Sequence, residues 1–201
     1  MPKKLKIAVT GGIGSGKSTV CEILRSKDFP IIYADDVSKE ILSSNSSIQK
    51  KIISEFGDES FIDNNPNVKF LSEKVFTDSE KVKKINSILH PPTIEKIVKE
   101  MNIELKEQNL VFVEAALIYE AKMESLFDYV LVVTSPEELR IDRAMTTRNL
   151  KRDEVLERIA KQMPEDKKRK LADFVIENIG TKEELKSKVE FVLLIINSLI
   201  K

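Results

Sequence analysis

Gly11-Gly12-Ile13-Gly14-Ser15-Gly16-Lys17-Ser18-Thr19 is the run in this chain whose residue types and spacing specify a chemistry most directly. Glycines at these intervals let the backbone turn its N–H groups inward around phosphate oxygens, and a helix beginning there adds its positive end. Lys17 then offers a mobile cation to the β- and γ-phosphates of a nucleotide, and the Ser18 hydroxyl offers a ligand to the Mg²⁺ that bridges them. The pattern GxxxxGK[ST] carries weight when a strand precedes it and a helix follows. Leu5 to Thr10 is a short apolar run suited to a buried parallel strand, and Ser18 to Ser26 places Val20, Ile23 and Leu24 on one helical stripe. Gly12, Ile13, Gly14, Ser15, Gly16, Lys17, Ser18 and Thr19 are therefore expected to hold ATP with Mg²⁺, against the weaker reading of a glycine-rich turn without a ligand.

The remaining chemistry belongs at the carboxyl ends of the other strands, where open α/β sheets bind ligands. Asp35 follows the predicted strand Phe29-Pro30-Ile31-Ile32-Tyr33 and is placed to accept the proton of an attacking hydroxyl; an N-cap role for Asp35 or Asp36 is the competing reading. Glu114 closes Leu110-Val111-Phe112-Val113, where a carboxylate orients a metal-bound water or the substrate, or is simply solvated. Arg140, Arg143, Arg148 and Arg152 form a basic stretch suited to a lid that stabilises charge on a transferring phosphoryl group, although some of them belong to a solvated helix face. No Asn-Lys-x-Asp motif is present, which weighs against a guanine-specific GTPase.

These residues need a scaffold, and 201 residues with 41% hydrophobic content can bury one. Further strands are predicted at Tyr129 to Val133 and Phe174 to Ile176, alternating with helices that start at Pro136, at Asp153 and at the capping box Thr181-Lys182-Glu183-Glu184. The fold class is α/β, a doubly wound five-stranded parallel sheet. Residues 36–108 read as helical without a convincing strand, with turns at Asn45-Ser46-Ser47, Asp63-Asn64-Asn65-Pro66 and His90-Pro91-Pro92. This is more than a crossover needs, so it is expected to be a helical substrate-binding subdomain inserted in a single domain spanning 1–201. Val189 to Ile200 reads as a packed C-terminal helix rather than a membrane span. Lys+Arg and Asp+Glu are both 33, so no global field favours nucleic acid or an acidic membrane. The single cysteine, Cys21, and a start without a signal-peptide core point to the cytoplasm. His90, the only histidine, precedes a proline and reads as structural rather than catalytic.

Nearly end to end, the chain resembles the dephospho-coenzyme A kinase family. The resemblance rests on Val9 to Val20, Tyr33-Ala34-Asp35, Leu89-His90-Pro91, Leu117-Ile118-Tyr119-Glu120, Arg158-Ile159-Ala160-Lys161-Gln162 and Ala172 to Gly180. It implies a P-loop kinase fold with a coenzyme A subdomain and a lid near 140–165. The implied reaction moves the γ-phosphate of ATP to the ribose 3′-hydroxyl of dephospho-coenzyme A. Asp35 would then be the base and Arg143 would flank adenine or phosphate. Asn178 and Gly180 would lie in the adenine loop, and His90, Glu114 and Leu117 would sit on the substrate side. A monomer would suffice for this activity. The chain departs from the family pattern at Tyr33, which replaces an acid, at Ala116, which replaces a proline, and in the spacing of Arg143 and Arg148. Nucleoside and nucleoside-monophosphate kinases share the core and are the alternative within the enzyme class.

Overall fold

The computed structural model describes residues 2–75 and 78–200. The central strand, β1 (Leu5–Thr10), buries every residue except the half-buried Lys6, and runs through the glycine-rich loop into α1 (Lys17–Arg25). β2 is Ile31–Tyr33, shorter than the strand predicted from Phe29, because Pro30 contributes only a carbonyl, accepting from the Phe112 N–H at 3.0 Å. Next come α2 (Ala34–Ser44), α3 (Ser46–Phe56), β3 (Phe61–Ile62), β4 (Asn65–Pro66), α4 (Val68–Val75) and α5 (Ser79–Glu107). The chain re-enters the sheet with β5 (Leu110–Glu114) and β6 (Tyr129–Thr134). It continues through α6 (Glu137–Arg148), α7 (Arg152–Ala160) and α8 (Glu165–Leu171), then β7 (Phe174–Glu177) and α9 (Lys182–Ser198).

The five long strands form one sheet in the order β2-β5-β1-β6-β7. β1 pairs in parallel with both β5 and β6, and β6 with β7. The all-parallel arrangement explains the continuous apolar strands, since helices cover both faces. The expected five-stranded α/β sheet is what the chain forms.

By its internal contacts the chain divides into two compact units, residues 1–32 with 101–201, and residues 33–100. The second unit is mostly helical, with Val37, Ile41, Ile48, Ile52, Phe56, Leu71 and Ile97 buried. Asn45 caps α3 by accepting from the Ser47 and Ile48 amides, and Gly57, at φ 101°, ends it. Two expectations for this segment fail. Phe61–Ile62 and Asn65–Pro66 pair as a small antiparallel hairpin, its turn formed by Asp63 and Asn64 at positive φ. Four paired residues are too few to show a period of two, so only the turn was visible in the sequence. His90-Pro91-Pro92 is likewise no turn but lies inside α5. The prolines remove the N–H groups that would reach the carbonyls of Ser87 and Ile88, and the helix continues on both sides.

In the first unit α8 was not anticipated. Its residues, Glu-Asp-Lys-Lys-Arg-Lys-Leu, show no apolar stripe; what they offer is acids in the first turn and bases in the last. The Thr181 capping box forms as predicted, with Thr181 Oγ1 accepting from the Glu184 N–H at 3.2 Å and Glu184 Oε2 from the Thr181 N–H at 2.9 Å. α9 buries Leu185, Val189, Val192, Leu193 and Ile196, while Phe191 and Leu194 stay exposed. No helix among the described residues is long and apolar enough to cross a membrane.

Candidate active site

The glycine-rich loop leaves the carboxyl end of the central strand, and its conformation explains its composition. Gly11, Gly14 and Gly16 take φ of 148°, 74° and 96°, where a side chain is strained. A Cβ at Gly14 would also lie 2.0 Å from the Arg140 carbonyl, so α6 packs directly on the loop. Gly12 is required for a different reason. A Cβ there would lie 2.2 Å from Arg140 Nη1 and 2.8 Å from Glu165 Oε2.

Lys17 opens α1 and is buried, its Nζ donating to the carbonyls of Gly11 at 2.8 Å and Gly12 at 3.1 Å. The cation thus rests on the loop it serves. Ser18 and Thr19 stand in the first turn of α1, whose leading N–H groups have no intrahelical acceptor. Ser18 is exposed, and its hydroxyl makes no hydrogen bond among the described residues. The described residues contain no cluster of three or more acids, cysteines or histidines able to cage a metal. A site of one hydroxyl beside a phosphate loop suits Mg²⁺, which favours a few protein oxygens together with substrate phosphates.

Asn178 is joined to the loop from the far end of the sequence. Its Nδ2 donates to the Ser15 carbonyl at 2.9 Å, and its N–H donates to the Thr134 carbonyl at 2.8 Å. Its carbonyl accepts from Ser135 Oγ at 2.9 Å and Arg143 Nη1 at 3.0 Å. Gly180 precedes the capping box, where a Cβ would occupy the place of Glu184 Oε2. Sequence reasoning found Asn178 and Arg143 separately; that one donates to the other was not visible in it.

The four arginines separate. Arg140 is buried beside Gly12, within 3.4 Å of Glu165 and 3.6 Å of Glu137. Arg143 is half-buried against Asn178 and Ser135. Arg148 ends α6 in solvent, and Arg152 is exposed and paired with Glu138 at 2.7 Å. Glu114 ends β5 in register with Val9 of β1. Burial, then the nearby Glu114 carboxylate, pushes the Cys21 thiol up to about 12. Leu117 lies in the loop after β5, partly exposed beside the buried Ile118 and Tyr119.

In the second unit, Asp35 and Asp36 occupy the first turn of α2, but Tyr33 is the N-cap and no side chain caps the helix. The N-cap reading of these aspartates is thereby excluded. Asp36 pairs with Lys39 at 2.8 Å, whereas Asp35 is exposed. His90 is half-buried on α5, and burial lowers its pKa below 6.5.

Missed by sequence reasoning were Glu165 and the contact role of Gln162, which accepts from the Ile13 N–H through Oε1 at 3.0 Å. The signal available was their position, shortly after α7 in the segment read as a lid.

A parallel sheet whose central strand runs through GxxxxGKS into a helix defines a P-loop nucleotide-binding protein. Residues 5–184 match the family model described as dephospho-CoA kinase. A dephospho-CoA kinase of Carboxydothermus hydrogenoformans is 39% identical over 93% of this chain and 92% of its own length. The crystal structure of a Thermus thermophilus protein matches with a TM-score of 0.82 at 33% identity, covering 96% of this chain and 97% of that one. Dephospho-CoA kinase from Campylobacter jejuni matches with a TM-score of 0.73 at 31% identity, covering 95% and 96%. This chain belongs to the dephospho-coenzyme A kinase family. It is an ATP-dependent kinase, and its reaction, phosphorylation of the 3′-hydroxyl of dephospho-coenzyme A, is the last step of coenzyme A synthesis.

Proposed function

We propose that phosphate moves between a nucleotide held by Gly12 to Thr19 and a hydroxyl activated by Asp35, while the helical segment 36–108 holds dephospho-coenzyme A and 140–165 acts as the lid. The observation that carries this reading is the state of Lys17. A lysine buried at the head of α1 is held by two loop carbonyls, whose bonds it can exchange for phosphate oxygens. Asp35 follows the end of β2, is exposed, and has no capping duty. Its carboxylate takes the 3′-hydroxyl proton as that oxygen bonds the γ-phosphorus and the bond to the β-phosphate oxygen breaks, releasing ADP. Ser18 would hold Mg²⁺, which would supply neutralisation of the charge that develops in the transfer.

Arg143, tied to Asn178, sets the edge of the nucleotide site, with Asn178 and Gly180 forming the turn that adenine meets. Glu114, Leu117 and His90 belong to the acceptor side. A cytoplasmic enzyme acting as a monomer, with no nucleic-acid or membrane partner, fits the balanced charge and the single free, buried Cys21.

The test is ATP consumption with Mg²⁺ and dephospho-coenzyme A, against AMP, CMP and adenosine as acceptors, with products identified by mass. Asp35→Asn is expected to lower kcat about 10²- to 10⁴-fold with little change in the KM for ATP. A change in the dephospho-coenzyme A KM alone would reassign Asp35 to binding.

A further inference from the structure

Besides Lys17 of its own helix, the first half of the P-loop is held by segments far away in sequence. Ile13 buries its side chain among Ile141, Ala144 and Val155 of α6 and α7, with Leu150 and Ile159 packed around them. Its N–H donates to Gln162 Oε1 at 3.0 Å. Glu165 Oε2 stands over the neighbouring Gly12, 2.8 Å from where a Cβ would lie there, and 3.4 Å from Arg140 Nη1. One amide of the loop thus ends on Gln162, in the short connection between α7 and α8, and the neighbouring Gly12 is packed by Glu165, the first residue of α8.

That connection is itself pinned. Glu120, in the loop after β5, accepts from the Met163 N–H at 2.6 Å and pairs at 2.9 Å with Lys168, whose side chain is fully buried. Lys168 also donates to the Ala116 carbonyl at 3.3 Å. Removing either member of such a buried pair leaves the other charge uncompensated, so this segment, the anchored end of the lid, is costly to displace. A carboxylate on a pinned segment is suited to holding the loop rather than to vacating it for each substrate. Glu165 Oε1 and Arg140 Nε are buried without a hydrogen-bond partner among the described residues, so the pair retains bonding capacity beside the loop.

We propose that Gln162 and Glu165 are positioning residues for phosphate transfer. Gln162 through the Ile13 amide, and Glu165 through its packing on Gly12 and its pairing with Arg140, set the curvature of the loop before ATP arrives. The N–H groups at the start of α1 are left for the phosphates. Loop amides that are already oriented need no reorganisation when charge develops.

This inference rests on the reading of the P-loop as the ATP site, and the experiment separates the two. In the enzyme, Gln162→Ala removes one acceptor from a half-buried side chain, while Gln162→Glu keeps an oxygen there; Glu165→Gln keeps the side chain's volume over Gly12 but removes the charge facing Arg140. Gln162→Ala is expected to raise the KM for ATP about tenfold, with the KM for dephospho-coenzyme A unchanged and with Gln162→Glu restoring most of the loss. Glu165→Gln is expected to raise the ATP KM as well. An unchanged ATP KM in a folded Gln162→Ala enzyme would overturn the proposal, and so would a lower ATP KM in Glu165→Gln, because the carboxylate would then be a competitor of phosphate. If Lys17→Ala stays fully active, the P-loop reading itself fails; if it is inactive while Gln162→Ala is normal, only this inference fails.

Discussion

Asn178 Nδ2 donates to the Ser15 carbonyl at 2.9 Å, although the two residues stand 163 positions apart. A Cβ at Gly16 would lie 2.1 Å from the same nitrogen. The loop's last glycine is therefore needed both for its φ of 96° and for the passage of this amide. The turn after β7 and the turn after β1 are one structural unit.

Asn178→Ala should cost about 1–3 kcal/mol of stability, because it leaves the buried Ser15 carbonyl unpaired. Chemical denaturation with an unchanged m-value would measure this. The same variant should raise the ATP KM, whereas Asn178→Asp, which has no donor at Nδ2, should behave like the alanine variant.

Gly14→Ala should destabilise the enzyme by roughly 1–3 kcal/mol from backbone strain alone, since its φ of 74° is retained only by glycine without cost. The Arg140 carbonyl at 2.0 Å from the added methyl makes repacking of α6 unavoidable. A thermal melt and an ATP titration should both shift.

Asp35→Ala should leave stability within about 0.5 kcal/mol of the parent, because the residue is exposed and caps nothing. A loss near the 1 kcal/mol typical of a removed N-cap would contradict this assignment. Comparing kcat with the melting temperature separates the two.

Cys21 should resist thiol reagents at pH 8 in the native enzyme. Burial and Glu114 hold its thiol up to about 12, and the thiolate is the reactive form. Labelling should appear only as denaturant unfolds the chain, and rapid native labelling would show that α1 opens locally.

His90 gives a pH signature without spectral overlap, being the only histidine. Burial lowers its pKa in the folded state, so below 6.5 the unfolded chain binds more protons than the native one. Its contribution to stability is present above 6.5 and is lost as pH falls from 6.5 through the folded-state pKa. Imidazole NMR should titrate below 6.5, and His90→Gln should flatten the stability profile in that window.

The sequence by itself determined the nucleotide loop, the strands of the sheet, the α9 capping box and the family. These are local signals: glycine spacing after an apolar run, a Thr-x-x-Glu box, and buried strands whose apolar character survives in any neighbourhood. Short or conflicted signals were not legible. The hairpin at Phe61–Pro66 is too short to show alternation, α8 has charges where a stripe would be, and His90-Pro91-Pro92 reads as a turn although α5 spans it. Only tertiary structure decided which polar groups meet. Arg140, Arg143, Arg148 and Arg152 look equivalent in sequence, yet one is buried on Gly12, one donates to Asn178 and two face solvent. Gln162 closes the Arg158-Ile159-Ala160-Lys161-Gln162 motif and Glu165 belongs to none, yet nothing in either position says that Gln162 takes the Ile13 amide or that Glu165 packs on Gly12 beside Arg140. The physical reason is that a hydrogen bond between distant segments depends on where the fold brings their atoms, and neither residue's own neighbours in sequence carry that information.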